Sequence, residues 1–514
     1  MKKKVLIKGA LIVFIASTIT RVLGFFFRVF LADNLKAHGM GIYQLILSLY
    51  MLVVTFSTTG INFAVSRLVS EEAAIKNNTN SKKILKISIL WGLFVATIVC
   101  LTLITFKNQF ANFVLREKKA TLSILFLAPS LPFMAISSCI KGYFFAKRKP
   151  IFPSIASILE QIIKMGLIMF LIKKFIEQGI EKSCAIISIG MTASEIASCI
   201  FMSILYMKYK DENIVSKTKM KNGKNLLVKI LKVSVPIQTS TSFNAVLKLI
   251  EGILIIQCLK IYTNGDSQAA TGAYGIVRGM VLPLIMFPTS FLQSIITVLI
   301  PELSGATAGK NKKAIKKACE KSLQLTLIMG IFIAAIFIMF PNEISSIFYK
   351  NSNVAPILKT LSLLCPVLYL QLICMGILNA IGEQMACMKY NLLEGILRII
   401  LIPLTVPKGG INSFLALMFI SNILVVFLYV LRLVKVTSFP ICINKILFKP
   451  LIAISISCAF AILLKMNIKF NLSNLNLILI FSVIIFLTYF ILLLFLNCLK
   501  IPQKNLLKTK TNKL

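Results

Sequence analysis

Apolar runs of about 20 residues recur along the whole chain, the length at which an α-helix crosses the hydrocarbon core of a bilayer. In lipid no water satisfies a bare peptide group, so a chain built from such runs must fold them as helices. By hydropathy they give about fourteen spans. In the first half these are 5–30, 41–65, 87–106, 121–146, 151–172 and 184–207. After a polar stretch come 230–259, 273–300, 322–340, 354–381, 388–406 and 411–434, then a last pair at 448–466 and 475–498. The expected fold class is all-α: a polytopic membrane protein. Composition agrees, with 57% apolar and only 14% charged residues and a mean hydropathy of +0.88. The start, Met1-Lys2-Lys3-Lys4 before an apolar run, imitates a signal peptide. The run continues through Arg21 to Phe30 without a small-x-small cleavage site, so a retained first span is expected.

The net charge is +40, from 57 Lys+Arg against 17 Asp+Glu. The basic residues fall mainly in short loops between apolar runs, where the positive-inside rule puts them. With the N-terminus in the cytoplasm, the alternate loops are cytoplasmic, including those with Lys76, Lys82 and Lys83, with Lys147, Arg148 and Lys149, and at 310–321. That side holds roughly 35 basic residues against about 13 opposite, so both termini are expected on the cytoplasmic side of the membrane. Nucleic acid is not an expected partner, because no basic, aromatic-interleaved soluble module exists to bind it. The 12 cysteines form no C-x-x-C and read as small buried residues. One histidine, His38, and the absence of H-E-x-x-H, P-loop and G-x-S-x-G patterns leave nothing with which to build a familiar enzyme or a metal site. Gly39-x-Gly41 lacks the strand and third glycine of a nucleotide fingerprint.

The chain also repeats itself. Ile42-Tyr43 opens the second span and Ala273-Tyr274 the eighth; Phe56 matches Phe287, and Leu68-Val69-Ser70-Glu71 matches Leu299-Ile300-Pro301-Glu302. Leu159-Glu160-Gln161-Ile162-Ile163-Lys164 likewise matches Leu393-Glu394-Gly395-Ile396-Leu397-Arg398, each with an acid four positions before a base on one helix face. The organisation expected is a six-helix lobe at 1–207, a cytoplasmic linker at 208–229 and a pseudo-symmetric six-helix lobe at 230–434. An extra helix pair at 435–498 and a basic tail at 499–514 follow. Transporters with parallel repeats bind substrate near the midplane between them.

Each charge in a bilayer core costs about 2.5–3.5 kcal/mol on insertion scales, which makes the charged residues the informative ones. They are Arg21 and Arg28 in the first span, Lys248 and Glu251 in the seventh and Arg278 in the eighth, with Glu160, Lys164, Glu195, Glu394 and Arg398 elsewhere; Arg67 closes the second span. Arg28 and Arg278 lie near helix ends, where snorkelling to head groups is the alternative to a functional role. The two acid–base pairs could simply neutralise each other. Arg21 and Lys248 are deeper and suit a water-filled cavity. A cavity lined by the first, second, seventh and eighth helices would be cationic, and guanidinium matches phosphate in bidentate fashion. Pro129, Pro132, Pro236, Pro283, Pro288 and Pro366 interrupt spans, as static kinks or as hinges.

The segments 21–28, 38–45, 66–72, 234–237 and 274–285, in that order and spacing, resemble the polysaccharide-biosynthesis flippases of the multidrug/oligosaccharidyl-lipid/polysaccharide (MOP) exporter superfamily. The resemblance is to the stage V sporulation protein B group and the related MurJ-like lipid II flippases. It implies two six-helix lobes, a cationic central cavity for a lipid-linked diphosphate sugar, alternating access, and a groove for the polyprenyl tail formed by the last two helices. It places Arg21, Arg28 and Arg67 on basic positions of the family pattern and Arg278 in a matching segment. Val29 stands where the best-known lipid II flippases carry an acid after the first-helix arginine.

The function expected is translocation of an undecaprenyl-diphosphate-linked peptidoglycan precursor, lipid II, from inner to outer leaflet for spore cortex or cell-wall synthesis. Arg21, Arg28, Lys248 and Arg278 would hold the diphosphate, with Arg67 at the inner gate. No bond is made or broken, so no enzyme activity and no cofactor are expected, and cell-wall synthases are candidate partners. The drive stays open between membrane potential and Na+ or H+ coupling, for which Glu251, Glu394 and Arg398 are candidates beside a purely structural role. Rival readings are a flippase for another lipid-linked oligosaccharide, such as a teichoic-acid or capsule unit, a cation-coupled multidrug exporter, and a non-transporting scaffold. A cationic-drug exporter should have acids dominating the first and seventh spans, which here hold Arg21, Arg28 and Lys248 against Glu251.

Overall fold

Helices account for nearly every residue in a computed structural model of the chain, which describes residues 2–74, 78–209, 223–290, 292–293, 303, 305, 309, 311–351, 353–438, 443–467 and 473–498. Among the described residues there is no strand, and the all-α, multi-spanning architecture read from the sequence is the one adopted. Nine helices among the described residues are long and apolar enough to cross a membrane, or up to eleven if each of two bent pairs is one span. Most of the expected linker (210–222), the tail (499–514), Lys76, Lys310 and the repeat element at 299–302 lie outside the described residues.

The chain packs as two compact units, Met1–Val298 with Gly382–Leu428, and Leu299–Ile381 with Tyr429–Leu514. The first begins with α1 (Lys2–Val54), which bends at Lys36 (φ 56°) between the first two sequence-predicted spans. A π turn at Thr55–Thr59 leads into α2 (Gly60–Ala74), and α3 (Asn78–Thr105) follows. Next come α4 (Thr121–Leu127) and α5 (Ser130–Ala146), which meet at 46° with Pro129 at the joint. Proline forfeits a helical hydrogen bond and crowds the preceding turn, which accounts for a bend there. Then α6 (Ile151–Phe175) and α7 (Ile180–Lys208) are separated by Gly179, whose φ of 104° suits glycine. Pro236, in contrast, sits inside the continuous helix α8 (Gly223–Tyr262).

Asp266 then caps α9 (Ser267–Tyr274), its carboxylate accepting from the amides of Gln268 and Ala269 at 2.8 and 3.0 Å. A seven-residue π segment, Gly275–Val281, runs on into α10 (Leu282–Met286). The segment 267–281 crosses α1 backbone to backbone. A Cβ on Gly41 would run into the Thr271 carbonyl, and one on Gly275 into the Ala37 carbonyl and the Gly41 amide. Gly41 of the Gly39-x-Gly41 motif therefore serves a helix crossing.

The second unit contains α11 (Lys312–Met339), α12 (Pro341–Phe348), and α13 (Val354–Ser362) with α14 (Cys365–Ala380), a pair bent by 54° with Pro366 in the first turn after the break. The intervening helix α15 (Gln384–Thr437) lies mostly in the first unit and bends at Gly410, φ 58°. It is followed by α16 (Lys449–Asn467) and α17 (Asn474–Phe495). In this unit Phe332 stacks on Tyr489, with ring centroids 6.3 Å apart, and Lys449 donates to the Leu496 carbonyl at 2.9 Å.

The distribution of residue types suits lipid as solvent. Phe94, Phe170, Phe427, Val483 and Phe486 are exposed, whereas Ser57, Ser137, Ser198 and Ser421 are buried. Within the first unit, one core cluster joins Ile42, Ile46 and Leu49 to Leu127, Leu131 and Leu249; another joins Ile61, Val65 and Leu68 to Ile84, Tyr143 and Leu226. All the described cysteines but Cys458 are buried.

Candidate functional site

Glu251, on α8, is 5% exposed within a segment whose neighbours are apolar. A lone carboxylate there would forfeit its hydration, so it requires cationic partners. Its Oε1 accepts from Arg278 Nη2, on the π segment, and from Arg398 Nη1, on α15, at 3.2 Å. Arg398 also pairs with Glu394, one turn back on α15, at 2.5 Å, and its Nε donates to Ser421 Oγ at 2.7 Å. Two acids and two bases from three helical segments thus close into a formally neutral network.

The two arginines differ in what they have left to give. Arg398 is buried and donates to three partners. The Arg278 side chain keeps 27% of its surface exposed, and its guanidinium carbon lies 5.9 Å from the centre of the Phe414 ring. Its Nε is buried and has no hydrogen-bond partner among the described residues. The backbone places it: Arg278 occupies the middle of the π segment, where the widened turn alters the direction in which a side chain leaves the helix. Such π turns recur at functional sites. Lys248, one turn before Glu251 on α8, is exposed and adds a positive charge felt by Glu251.

The other sequence-selected residues have neighbours of their own. Arg21 is exposed and hydrogen-bonds Gln293. Arg28 is half-buried, electrostatically close to Tyr43 and Lys164. Arg67 pairs with Glu71 at 3.1 Å, both more than half exposed. The sequence thus brings Glu251, Arg278 and the Glu394–Arg398 pair to notice separately, and the fold joins them. Ser421 and Phe414 were missed. Ser421-Asn422 is a polar pair within the apolar span 411–434, a signal that could have marked them. Among the described residues no group of three or more His, Cys, Asp or Glu is arranged to hold a metal ion.

Comparison with known proteins gives a consistent set of likenesses. A family described as "Polysaccharide biosynthesis protein" matches residues 6–306, and one described as "MatE" matches residues 245–404. "Stage V sporulation protein B" of Bacillus subtilis (strain 168) is 27% identical over 480 residues, 92% of each chain. "Sporulation protein YkvU" of the same organism is 22% identical over 67% of this chain and 76% of its own. Among solved structures, "Lipid II flippase MurJ, inward closed conformation" superposes with a TM-score of 0.69 at 18% identity, covering 93% of this chain and 97% of that one. An inward-facing multidrug resistance MATE family transporter of the MOP superfamily superposes with a TM-score of 0.63 at 12% identity, covering 82% and 94%.

Proposed function

Because the chain belongs to the polysaccharide biosynthesis protein family, we propose that it is a flippase that carries the diphosphate-sugar head group of lipid II from the inner to the outer leaflet. The observation that carries this reading is Arg278: a guanidinium anchored to a buried carboxylate with 27% of the side chain still exposed. A phosphate oxygen is the acceptor such a group is shaped for. Arg21, Arg28 and the exposed Lys248 would share the diphosphate, Arg67 would act at the inner gate, and the lobes 1–207 and 230–434 would alternate access. The polyprenyl tail would lie along the helix pair at 435–498, and both termini would be cytoplasmic. Membrane potential acts on an anionic head group with about 2.3 kcal/mol per charge per 100 mV, enough in sign to assist export. No bond is made or broken in this cycle.

The test is head-group translocation in proteoliposomes, read with a labelled lipid II and an external quencher, alongside other undecaprenyl-linked sugars. Wild type should flip lipid II, Arg278→Ala should lose at least about tenfold in rate, and Arg278→Lys should not restore it, since an ammonium lacks the fork. Preference for another lipid-linked sugar would keep the mechanism and change the cargo. Efflux of cationic drugs without any lipid flipping would replace the proposal by the exporter reading that the likeness to MATE transporters favours.

A further inference from the structure

A second group of charges lies in the first unit, on α5, α6 and α7. Lys141 Nζ pairs with Glu160 Oε2 at 3.1 Å. Glu195, on α7, is close enough to Glu160 for the two carboxyl groups to act on each other electrostatically. Glu195 is 6% exposed, and its Oε2 has no hydrogen-bond partner among the described residues. Helices α6 and α7 pack tightly there; a Cβ on Gly190 would collide with the Ile168 side chain and lie 3.6 Å from the Lys164 carbonyl.

Two ionised carboxylates cannot hydrogen-bond each other, because both only accept. Held near each other out of water they repel, and one proton on the pair removes that repulsion and gives the buried, unpartnered Glu195 oxygen its own proton. We propose that Glu160 and Glu195 form a proton-binding site of this transporter, distinct from the Glu251 network. The charged and titratable groups that face it are Lys141 on α5, Lys164 on α6, Tyr50 on α1 and Cys199 on α7, with Arg28 of α1 acting on Lys164. One proton on the pair leaves a single negative charge for Lys141. The uncompensated positive charge then falls on Lys164 and, beyond it, Arg28. Proton binding therefore strengthens the pull of this region on an anion, and by linkage a bound anion strengthens proton binding. This last step rests on the flippase reading; the proton site itself does not.

The experiment is infrared difference spectroscopy of the full-length protein in lipid nanodiscs, titrated in pH without substrate, with and without 13C-glutamate. The expected result is a protonated-carboxyl C=O band near neutral pH that shifts in D2O and with the isotope. It should vanish in Glu195→Gln and in Glu160→Gln, while Glu251→Gln leaves it in place. The isotope shift in wild type requires no variant to fold. In proteoliposomes, Glu195→Gln should also abolish the dependence of translocation on an imposed pH gradient. Absence of a glutamate band in wild type, or a band that survives both substitutions in folded protein, overturns the site. A band that behaves as expected in protein that flips no lipid-linked sugar leaves the proton site standing and refutes the flippase reading.

Discussion

The motifs at 159–164 and 393–398 share a pattern, Leu-Glu-x-Ile-x followed by a base, yet the fold uses them differently. In the second the acid and base close on each other, Glu394 to Arg398 at 2.5 Å, and the guanidinium reaches onward to Glu251 and Ser421. In the first, Glu160 turns instead to Lys141 of the neighbouring helix and to Glu195, and Lys164 is left as a nearby charge. The chemistry of the base accounts for much of this. A guanidinium offers five donors in a rigid fork and can join several acceptors, whereas an ammonium on a flexible stem is a point charge. One pattern therefore yields a saturated knot in one place and a carboxyl pair with a spare oxygen in the other.

The largest effect should come from untying the knot. Glu251→Ala leaves two guanidiniums around an empty position, and breaking a buried ion pair from one side costs about 3–5 kcal/mol; denaturant unfolding in detergent should show that loss. Arg398→Lys removes the fork while keeping the charge, so it should cost about 1.5–3 kcal/mol, the worth of a charge-assisted hydrogen bond. A wild-type melting curve for that variant would mean the second motif is no more committed than the first. At the first motif the order of two substitutions is the sharper test: Lys141→Met should destabilise more than Lys164→Met, because Lys141 makes the bond to Glu160. The reverse order would restore the helical i,i+4 pairing that the sequence pattern suggests. Smallest of all is Arg67→Ala, which breaks an exposed pair and should change stability by less than about 1 kcal/mol.

The apolar runs made the helical, membrane-spanning fold legible, because lipid leaves the backbone no alternative. The proline bends were half legible. Pro129 and Pro366 do stand at breaks, but Pro236 is carried through an intact helix. Of the candidate site, the sequence marked the charged residues by their insertion cost but, beyond the i,i+4 pairs, could not say which would meet. Glu251, Arg278 and Arg398 are far apart in the chain, and their convergence depends on a π turn and on helix packing that no local pattern encodes. The i,i+4 reading was right for Glu394 with Arg398 and missed Lys141, which lies on another helix from Glu160.

The crossing at Gly41 and Gly275 has a consequence for genetics. Most overpacked contacts can be relieved by trimming the side chain opposite, so second-site revertants appear at the neighbouring position. Here the atoms that an added methyl would strike are peptide carbonyls and an amide, at Thr271, Ala37 and Gly41 itself, which no codon change can shorten. A Gly275→Ala or Gly41→Ala allele should therefore yield only true revertants at that codon or suppressors in residues that shift a whole helix.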